Sequence, residues 1–299
     1  MSKAPFLERV RHGERLVADG AMGTNLQAMG LPRGTPAEIF LIDHPEAIAS
    51  IHRRFIEGGS DVILTCSFGG SPIRLEHTGL KGRAYEINHR AVEIAREAVG
   101  DQAYIGGSMG PTGQLLEPMG PLSQEEAEAT YAEQARYLSD AGADLLVVET
   151  QFDLGEAGAA VRGARSVTSL PIVCSFSFDR GTRTMMGIRP AQMAKELEGW
   201  GVDVVGINCG RSLDENLKAL GEVREATNLP VWFKPNAGIP RIDEFGNAVY
   251  SIAPEEMGER VAEWLDCGAQ IVGGCCGTSP EHLTQIARAA RTWIAQRPA

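Results

Sequence analysis

The chain has few positive charges, no long apolar run and few cysteines. Lys and Arg number 28 against 39 Asp and Glu, a net charge of −11, so nothing attracts a phosphate backbone and we expect no nucleic-acid partner. No apolar run approaches the roughly 18 residues of a membrane helix, and the N-terminus lacks a signal-peptide core, which predicts no membrane contact. Six cysteines are too sparse for a disulfide scaffold. These absences predict a cytoplasmic protein with reduced thiols.

Short runs rich in Val, Ile and Leu recur along the chain, with amphipathic stretches between them. Such runs are typical of strands buried on both faces of a parallel sheet. We predict eight strands, at 16–19, 61–65, 103–107, 144–149, 171–176, 202–208, 230–234 and 270–274. Similar turns precede four of them: EGGSDVILT, DAGADLLVVE, GWGVDVVGIN and DCGAQIVGG. Eight β/α units predict an α/β fold, a (β/α)8 TIM barrel, with residues 1–299 as a single domain.

An open, doubly wound sheet is the alternative arrangement of the same elements. Such sheets normally carry a G-x-G-x-x-G phosphate loop after the first strand. The segment DGAMG at 19–23 lacks that spacing, so dinucleotide binding is not supported. In a barrel, the long segments after strands 1, 3 and 7 share the carboxyl-terminal rim, where barrel enzymes carry their chemistry.

Three cysteines fall at this predicted rim. Cys209 lies in GINCG, and Cys275 and Cys276 lie in GGCCGT. With Zn–S bonds of about 2.3 Å, thiolates from two strands can meet around one ion, which predicts a zinc site with an open fourth position. The alternative is that these cysteines are small apolar core residues. That second interpretation is kept for the other three: Cys66, Cys174 and Cys267.

Three thiolate ligands favour one kind of chemistry. They donate strongly to Zn²⁺ and leave it a mediocre Lewis acid, which disfavours hydrolysis. None of the six His lies in a ligand-spaced cluster that would supply a hydrolytic base. A substrate thiol that coordinates the ion is deprotonated and stays nucleophilic. The cysteines therefore predict activation of a substrate thiol for alkylation.

Two acids end predicted strands at the same rim and suit the other end of such a substrate. Asp19 and Glu149 lie away from the metal and match an ammonium group. Nearby backbone N–H groups suit a carboxylate: Gly20, Ala21, Gly107 and Ser108. Alternatively, either acid caps a helix or pairs with an arginine such as Arg211. The first interpretation predicts an amino acid with a thiol side chain.

Several motifs together resemble the homocysteine S-methyltransferase family, and the resemblance spans nearly the whole chain. They are DGAMGTNLQ, HRRFIEGGSDVILTCSF, GSMGPTG, VVETQFD, GINCG, KPNAG and GGCCGT. The resemblance implies an S-methyltransferase of methionine biosynthesis with a zinc site at Cys209, Cys275 and Cys276. It also implies homocysteine as the methyl acceptor, with Asp19 and Glu149 on its amino group.

Members of this family differ in methyl donor: a methylated corrinoid, glycine betaine or S-methylmethionine. Betaine-using members carry a Tyr after the Glu, where this chain has Thr150, and only 18 residues are aromatic, which disfavours a cation–π cage. Asn236 in KPNAG is similar to an Asn that methionine synthase barrels offer the metal before substrate binds. We therefore expect a methylated corrinoid carried on a separate protein. A betaine or S-methylmethionine enzyme and a non-catalytic homocysteine-binding subunit are the alternatives.

Overall fold

A parallel barrel forms the centre of the molecule. The computed structural model describes residues 3–32, 34–242 and 248–297. Within these ranges, eight parallel strands form one sheet in the order β1-β10-β7-β6-β5-β4-β3-β2. Their bounds are β1 Leu16–Val17, β2 Val62–Leu64, β3 Tyr104–Met109, β4 Leu145–Gln151, β5 Ile172–Phe176, β6 Val204–Cys209, β7 Val231–Pro235 and β10 Ile271–Val272. A parallel bridge between Ala18 and Val62 joins the two outer strands, so the predicted TIM barrel is confirmed.

Helices surround the sheet and alternate with its strands. Among the described residues they are α1 Phe6–Arg11, α2 Met22–Ala28, α3 Phe40–Asp43, α4 Pro45–Glu57, α5 Pro72–Leu75, α6 Ala84–Val99, α7 Gln124–Asp140, α8 Leu154–Val167, α9 Pro190–Gly199, α10 Leu213–Ala226, α11 Pro254–Asp266 and α12 Pro280–Gln296. A 3-10 turn, Ala37–Ile39, precedes α3. In the described ranges, no helix is both long and apolar enough to cross a membrane.

All eight predicted strands are present, with bounds that differ by up to two residues. The loop after β7 contains a small antiparallel hairpin, β8 Arg241–Ile242 and β9 Ala248–Val249, that the sequence did not predict. Two-residue strands are too short to leave a periodic pattern. The hairpin matters because it brings the following segment over the rim.

Side chains alternate between two apolar layers along each strand. On β4, Leu145 and Val147 belong to the cluster inside the barrel, whereas Leu146 and Val148 pack against the helices. The short helix α1 adds Phe6 and Val10 to the inner cluster and so covers the amino-terminal end of the barrel. This end is therefore closed by apolar packing, and the opposite end is left for polar groups.

The repeated turn before the strands has a structural role. In three copies, an Asp before one strand accepts a hydrogen bond from a backbone N–H of the neighbouring strand. These are Asp61 to Val17 (2.9 Å), Asp144 to Ile105 (2.7 Å) and Asp203 to Ile172 (2.9 Å). The carboxylates fix the register of adjacent strands, which explains why the pattern recurs.

Candidate active site

The structure brings the three predicted cysteines of the rim together. Cys209 is the last residue of β6, and Cys275 and Cys276 follow β10. The sulfur of Cys209 lies 3.1 Å from that of Cys275 and 3.9 Å from that of Cys276. All three sulfurs lie within 4.8 Å of one another, and they form the only such group in the described ranges that could hold a metal ion. Cys66 and Cys174 are buried in the outer core, as expected, and Cys267 lies at the end of α11.

An unusual backbone conformation aims Cys209 at the other two cysteines. Its φ is 58°, in the left-handed region that non-glycine residues rarely adopt, and this conformation costs about 1–2 kcal/mol. The Asn216 side chain stabilises this turn, because its Nδ2 donates a hydrogen bond to the Cys209 carbonyl at 2.7 Å. Such strain is retained where neighbouring contacts fix it, and here it places a sulfur in the cluster.

The first glycine of the GGCCGT motif, Gly273, is required because the backbone there lies against the backbone of Asp19. A Cβ atom on Gly273 would lie 2.8 Å from the carbonyl oxygen of Asp19, closer than real contacts allow. The chain after β10 can therefore run against the end of β1 only with glycine at this position. The motif brings the cysteine pair and Asp19 into one site.

The pKa values of the cysteine thiols shift in opposite directions. Hydrogen bonds from the thiols of Cys209 and Cys275 lower the pKa of Cys276. Hydrogen bonds with Cys275 and Cys276, together with burial, raise the pKa of Cys209. In the metal-free protein the negative charge is therefore concentrated on Cys276, and a metal ion that binds all three sulfurs displaces protons from the others.

Asp19 forms a buried ion pair that the sequence analysis missed. Its Oδ1 accepts from the Nζ of Lys234 at 2.5 Å, and its Oδ2 accepts from the backbone N–H of Leu64 at 2.8 Å. Burial lowers the pKa of Lys234, but the carboxylates of Asp19 and Glu149 outweigh burial, and the net shift is upward. Lys234 therefore stays charged. Burial raises the pKa of Asp19, and the Lys234 ammonium opposes this rise. The partner of Asp19 is this lysine and not an arginine.

Glu149 is the second buried acid of the site. Its Oε1 accepts from the Ser108 hydroxyl at 2.6 Å, and its Oε2 lies 3.5 Å from the Nδ2 of Asn208. Burial raises the pKa of Glu149 to about 7, and the Lys234 ammonium opposes this rise. A carboxyl group poised in this way gains a strong partner when a cation arrives.

Two of the four backbone N–H groups predicted to bind a carboxylate already donate hydrogen bonds to side-chain hydroxyls. The N–H of Ala21 donates to the hydroxyl of Thr278 at 3.1 Å, and the N–H of Ser108 donates to the hydroxyl of Thr65 at 3.0 Å. A substrate carboxylate would have to displace these hydroxyls. Binding at Gly20 and Gly107 stays a prediction, as does binding at the other two positions.

Asn236 and Tyr250 complete the surroundings of the thiols. The Nδ2 of Asn236 donates to the Gly210 carbonyl at 2.8 Å, and its buried Oδ1 has no hydrogen-bond partner among the described residues. Tyr250 follows β9 and packs so closely on Gly277 that a Cβ there would lie 2.1 Å from the ring. Burial and the neighbouring Cys276 raise the pKa of the Tyr250 phenol. The unpredicted hairpin is what delivers this aromatic residue, so no signal in the sequence pointed to it.

Comparison with known proteins identifies the family of the chain. The profile of the homocysteine S-methyltransferase family matches residues 16–290. The chain therefore belongs to this family. The methionine synthases of Mycobacterium leprae (strain TN) and Mycobacterium tuberculosis (strain ATCC 25618 / H37Rv) are each 32% identical to it over 292 residues. The matched region is 92% of this chain but 24% of theirs, so the chain spans about a quarter of the length of these relatives.

Solved structures give the same fold. The metallated form of the homocysteine methyltransferase MmuM from Escherichia coli superposes with a TM-score of 0.79 at 24% identity, over 94% of this chain and 98% of that one. The oxidized form gives 0.76 at 26% identity, over 93% and 96%. The likeness extends along the whole barrel.

Proposed function

We propose that the chain is a zinc-dependent homocysteine S-methyltransferase that forms methionine. The observation that carries this proposal is the group of three sulfurs from Cys209, Cys275 and Cys276 at the open end of the barrel, next to two buried acids. The family supports homocysteine as the acceptor. Zinc, the roles of the individual residues and the donor are our inferences, as is the assignment of residues 1–299 to one methyltransferase domain.

The three sulfurs fit a zinc ion. A tetrahedral site with Zn–S bonds of about 2.3 Å places its sulfurs about 3.8 Å apart. The distances of 3.1 and 3.9 Å from Cys209 and the 4.8 Å limit for all pairs lie around that value. Soft thiolate ligands also select zinc over magnesium or calcium. Asn236 Oδ1 has no partner in the part of the chain that the structure describes, which supports this residue as the candidate fourth ligand before substrate binds.

The residues around the metal hold the substrate. When bound, zinc supplies a coordination position at which a thiol is deprotonated at neutral pH. Glu149 and Asp19 receive the homocysteine ammonium. Lys234 holds Asp19 in an ion pair, and its positive charge favours the ionised form of Glu149. The substrate is therefore fixed at both ends, which limits reaction to amino acids whose thiol lies at the correct distance.

The reaction is a displacement at the methyl carbon. The homocysteine sulfur attacks that carbon in line, a new S–C bond forms, and the bond between the methyl group and its donor atom breaks with its electron pair leaving on the donor. The methyl group passes directly between the two substrates, so its configuration inverts. The chain contributes orientation and exclusion of water, and no residue becomes methylated.

For the donor, we favour a methylated corrinoid carried by a separate protein. The choice of a corrinoid is supported by the identity of 32% to methionine synthases over 92% of this chain. Thr150 in place of an aromatic residue after Glu149 disfavours betaine. A second candidate is a small methyl donor such as S-methylmethionine, one of the donors that the family resemblance implies. The predicted cytoplasmic location fits six free cysteines and stays a prediction.

The proposal is tested by measuring metal content and methionine formation. Purified protein should contain about one zinc per chain. It is then incubated with homocysteine and, separately, methylcobalamin, S-methylmethionine and betaine. Methionine from methylcobalamin supports our order of donors, and turnover with betaine alone contradicts it. Homocysteine binding without turnover of any donor would instead make the chain a non-catalytic subunit, and protein that binds neither zinc nor homocysteine would overturn the proposal.

A further inference from the structure

Asn208 is a fully buried residue of the site to which sequence analysis gave no role. It immediately precedes Cys209 at the end of β6. Its Oδ1 accepts from the backbone N–H of Thr150 at 2.8 Å and from the hydroxyl of Ser175 at 2.7 Å. Because a backbone N–H can only donate, the orientation of the amide is fixed. The Nδ2 group must therefore face the opposite side.

The two hydrogens of Nδ2 have different environments. Thr150 Oγ1 lies 2.7 Å away and takes one of them. On the other side lie Glu149 Oε2 at 3.5 Å and Cys275 Sγ at 3.7 Å. The distance to the carboxylate oxygen is long for a hydrogen bond, whereas the distance to the larger sulfur atom lies within the range of a weak one. The second N–H is therefore shared between the carboxylate and the sulfur.

We propose that Asn208 is a positioning residue that couples occupation of the ammonium site at Glu149 to the metal thiolate of Cys275. This inference rests on the proposed function. An ammonium group that binds Glu149 competes for its oxygen, and the shared N–H of Asn208 then moves towards the sulfur. An N–H that donates to a thiolate withdraws charge from it, and Cys275 then donates less strongly to the metal. Binding of the amino group thus strengthens the attraction of the metal for the substrate thiol.

A purely structural role of Asn208 would not require its second N–H group. The contacts of Asn208 with Thr150 and Ser175 already tie β6 to β4 and β5. The remaining N–H faces the two groups that the proposed function assigns to opposite ends of the substrate. This placement, in a buried site with few competing partners, is what makes the amide a link between them.

The test uses protein loaded with Co²⁺, whose thiolate charge-transfer absorption reports electron donation by the sulfurs. The probe is 2-aminobutyrate, which has the ammonium and carboxylate of homocysteine but no sulfur. We expect it to shift the absorption of the wild-type protein. Asn208→Asp keeps the side-chain shape and the Oδ1 acceptor but loses the N–H donor, so the shift should disappear. We also expect its metal affinity and its kcat/KM for homocysteine to fall by about 10–100-fold.

Ser175→Ala is the matched control. It removes one partner of Asn208 Oδ1 but leaves the N–H in place, so the shift should remain. If Asn208→Asp does not fold, Asn208→Ala is measured in the same way. A wild-type shift that persists in the Asn208 variant overturns the inference while leaving the site intact, and so does a wild-type protein that binds 2-aminobutyrate without any shift. Wild-type protein with no thiolate-to-cobalt absorption contradicts the proposed function itself.

Discussion

The two halves of the barrel interior are built by the same strands but have opposite chemistry. The lower half, next to α1, is lined by apolar side chains: Leu16, Val62, Tyr104, Leu145, Val173, Val204, Trp232 and Ile271. The upper half is lined by buried polar and charged groups: Asp19, Ser108, Glu149, Ser175, Asn208 and Lys234, with the three thiols above them. On β7, the change from Trp232 to Lys234 takes two residues, or about 7 Å.

The difference shows how stability and function divide along a strand. The lower half gains free energy by removing apolar surface from water, at about 25 cal/mol per Å². The upper half contains charges that lose their hydration on folding. Their mutual attraction, as between Asp19 and Lys234, compensates for this loss only in part. The apolar layer below keeps water from reaching these charges from the closed end. The lower half thus supports an upper half that is less stable by itself.

The largest effect that would test this division is on the cluster of sulfurs. Cys275→Ser should abolish both metal binding and methyl transfer, because a serine hydroxyl is a poor substitute for a thiolate ligand. Cys174→Ser is the control, since Cys174 is fully buried but belongs to the outer core on β5. It should reduce stability and leave one metal per chain, as measured by elemental analysis. Full activity in metal-free Cys275→Ser would refute the metal site.

The next largest effect is expected for the buried ion pair. Lys234→Met removes one partner and leaves Asp19 without its counter-charge, which should lower the free energy of unfolding by about 3–5 kcal/mol. Urea denaturation of the metal-free protein measures this change. Exposed Lys218→Met is the control and should change stability by less than about 0.5 kcal/mol. If adding Asp19→Asn to Lys234→Met does not recover part of the loss, the pair is not the cause.

A substitution in the lower half should affect stability alone. Leu145→Ala leaves a cavity among the inward apolar residues and should lower the free energy of unfolding by about 2–5 kcal/mol. Its metal affinity, measured by chelator competition in folded protein, should stay within about threefold of wild type, since distant sites act nearly independently. A larger loss of affinity would mean that the two halves are coupled.

The parts of the site that could be predicted are those that depend on position along one strand. Asp19, Glu149 and Cys209 each follow a buried apolar run, and parallel strands place their carboxyl ends at one rim. The pairing of Asp19 with Lys234 joins residues 215 positions apart, and no local pattern encodes it.

Other features were hidden for a different reason. The left-handed backbone of Thr150 and Cys209 is fixed by surrounding contacts, since neither residue type favours it. The orientation of Asn208 likewise depends on partners from β4 and β5. Such features are consequences of packing, so they require the structure.

The smallest of the expected effects is a gain in stability, in the upper half. Burial raises the pKa of Glu149 to about 7 from an ordinary value near 4.5, so folded protein holds a proton that unfolded protein releases. Below about pH 4.5 this group does not destabilise the fold. As the pH rises from about 4.5 to 7 its destabilising effect grows, and above pH 7 it stays constant. Glu149→Gln cannot ionise, so relative to wild type it should gain about 2–3 kcal/mol between pH 4.5 and pH 8. Urea denaturation of metal-free protein at both pH values gives the difference.

The Glu149→Gln variant should also raise the KM for homocysteine, because it loses the ammonium partner. A stability difference independent of pH would show that Glu149 ionises normally, and that the upper half is not destabilised by its charges.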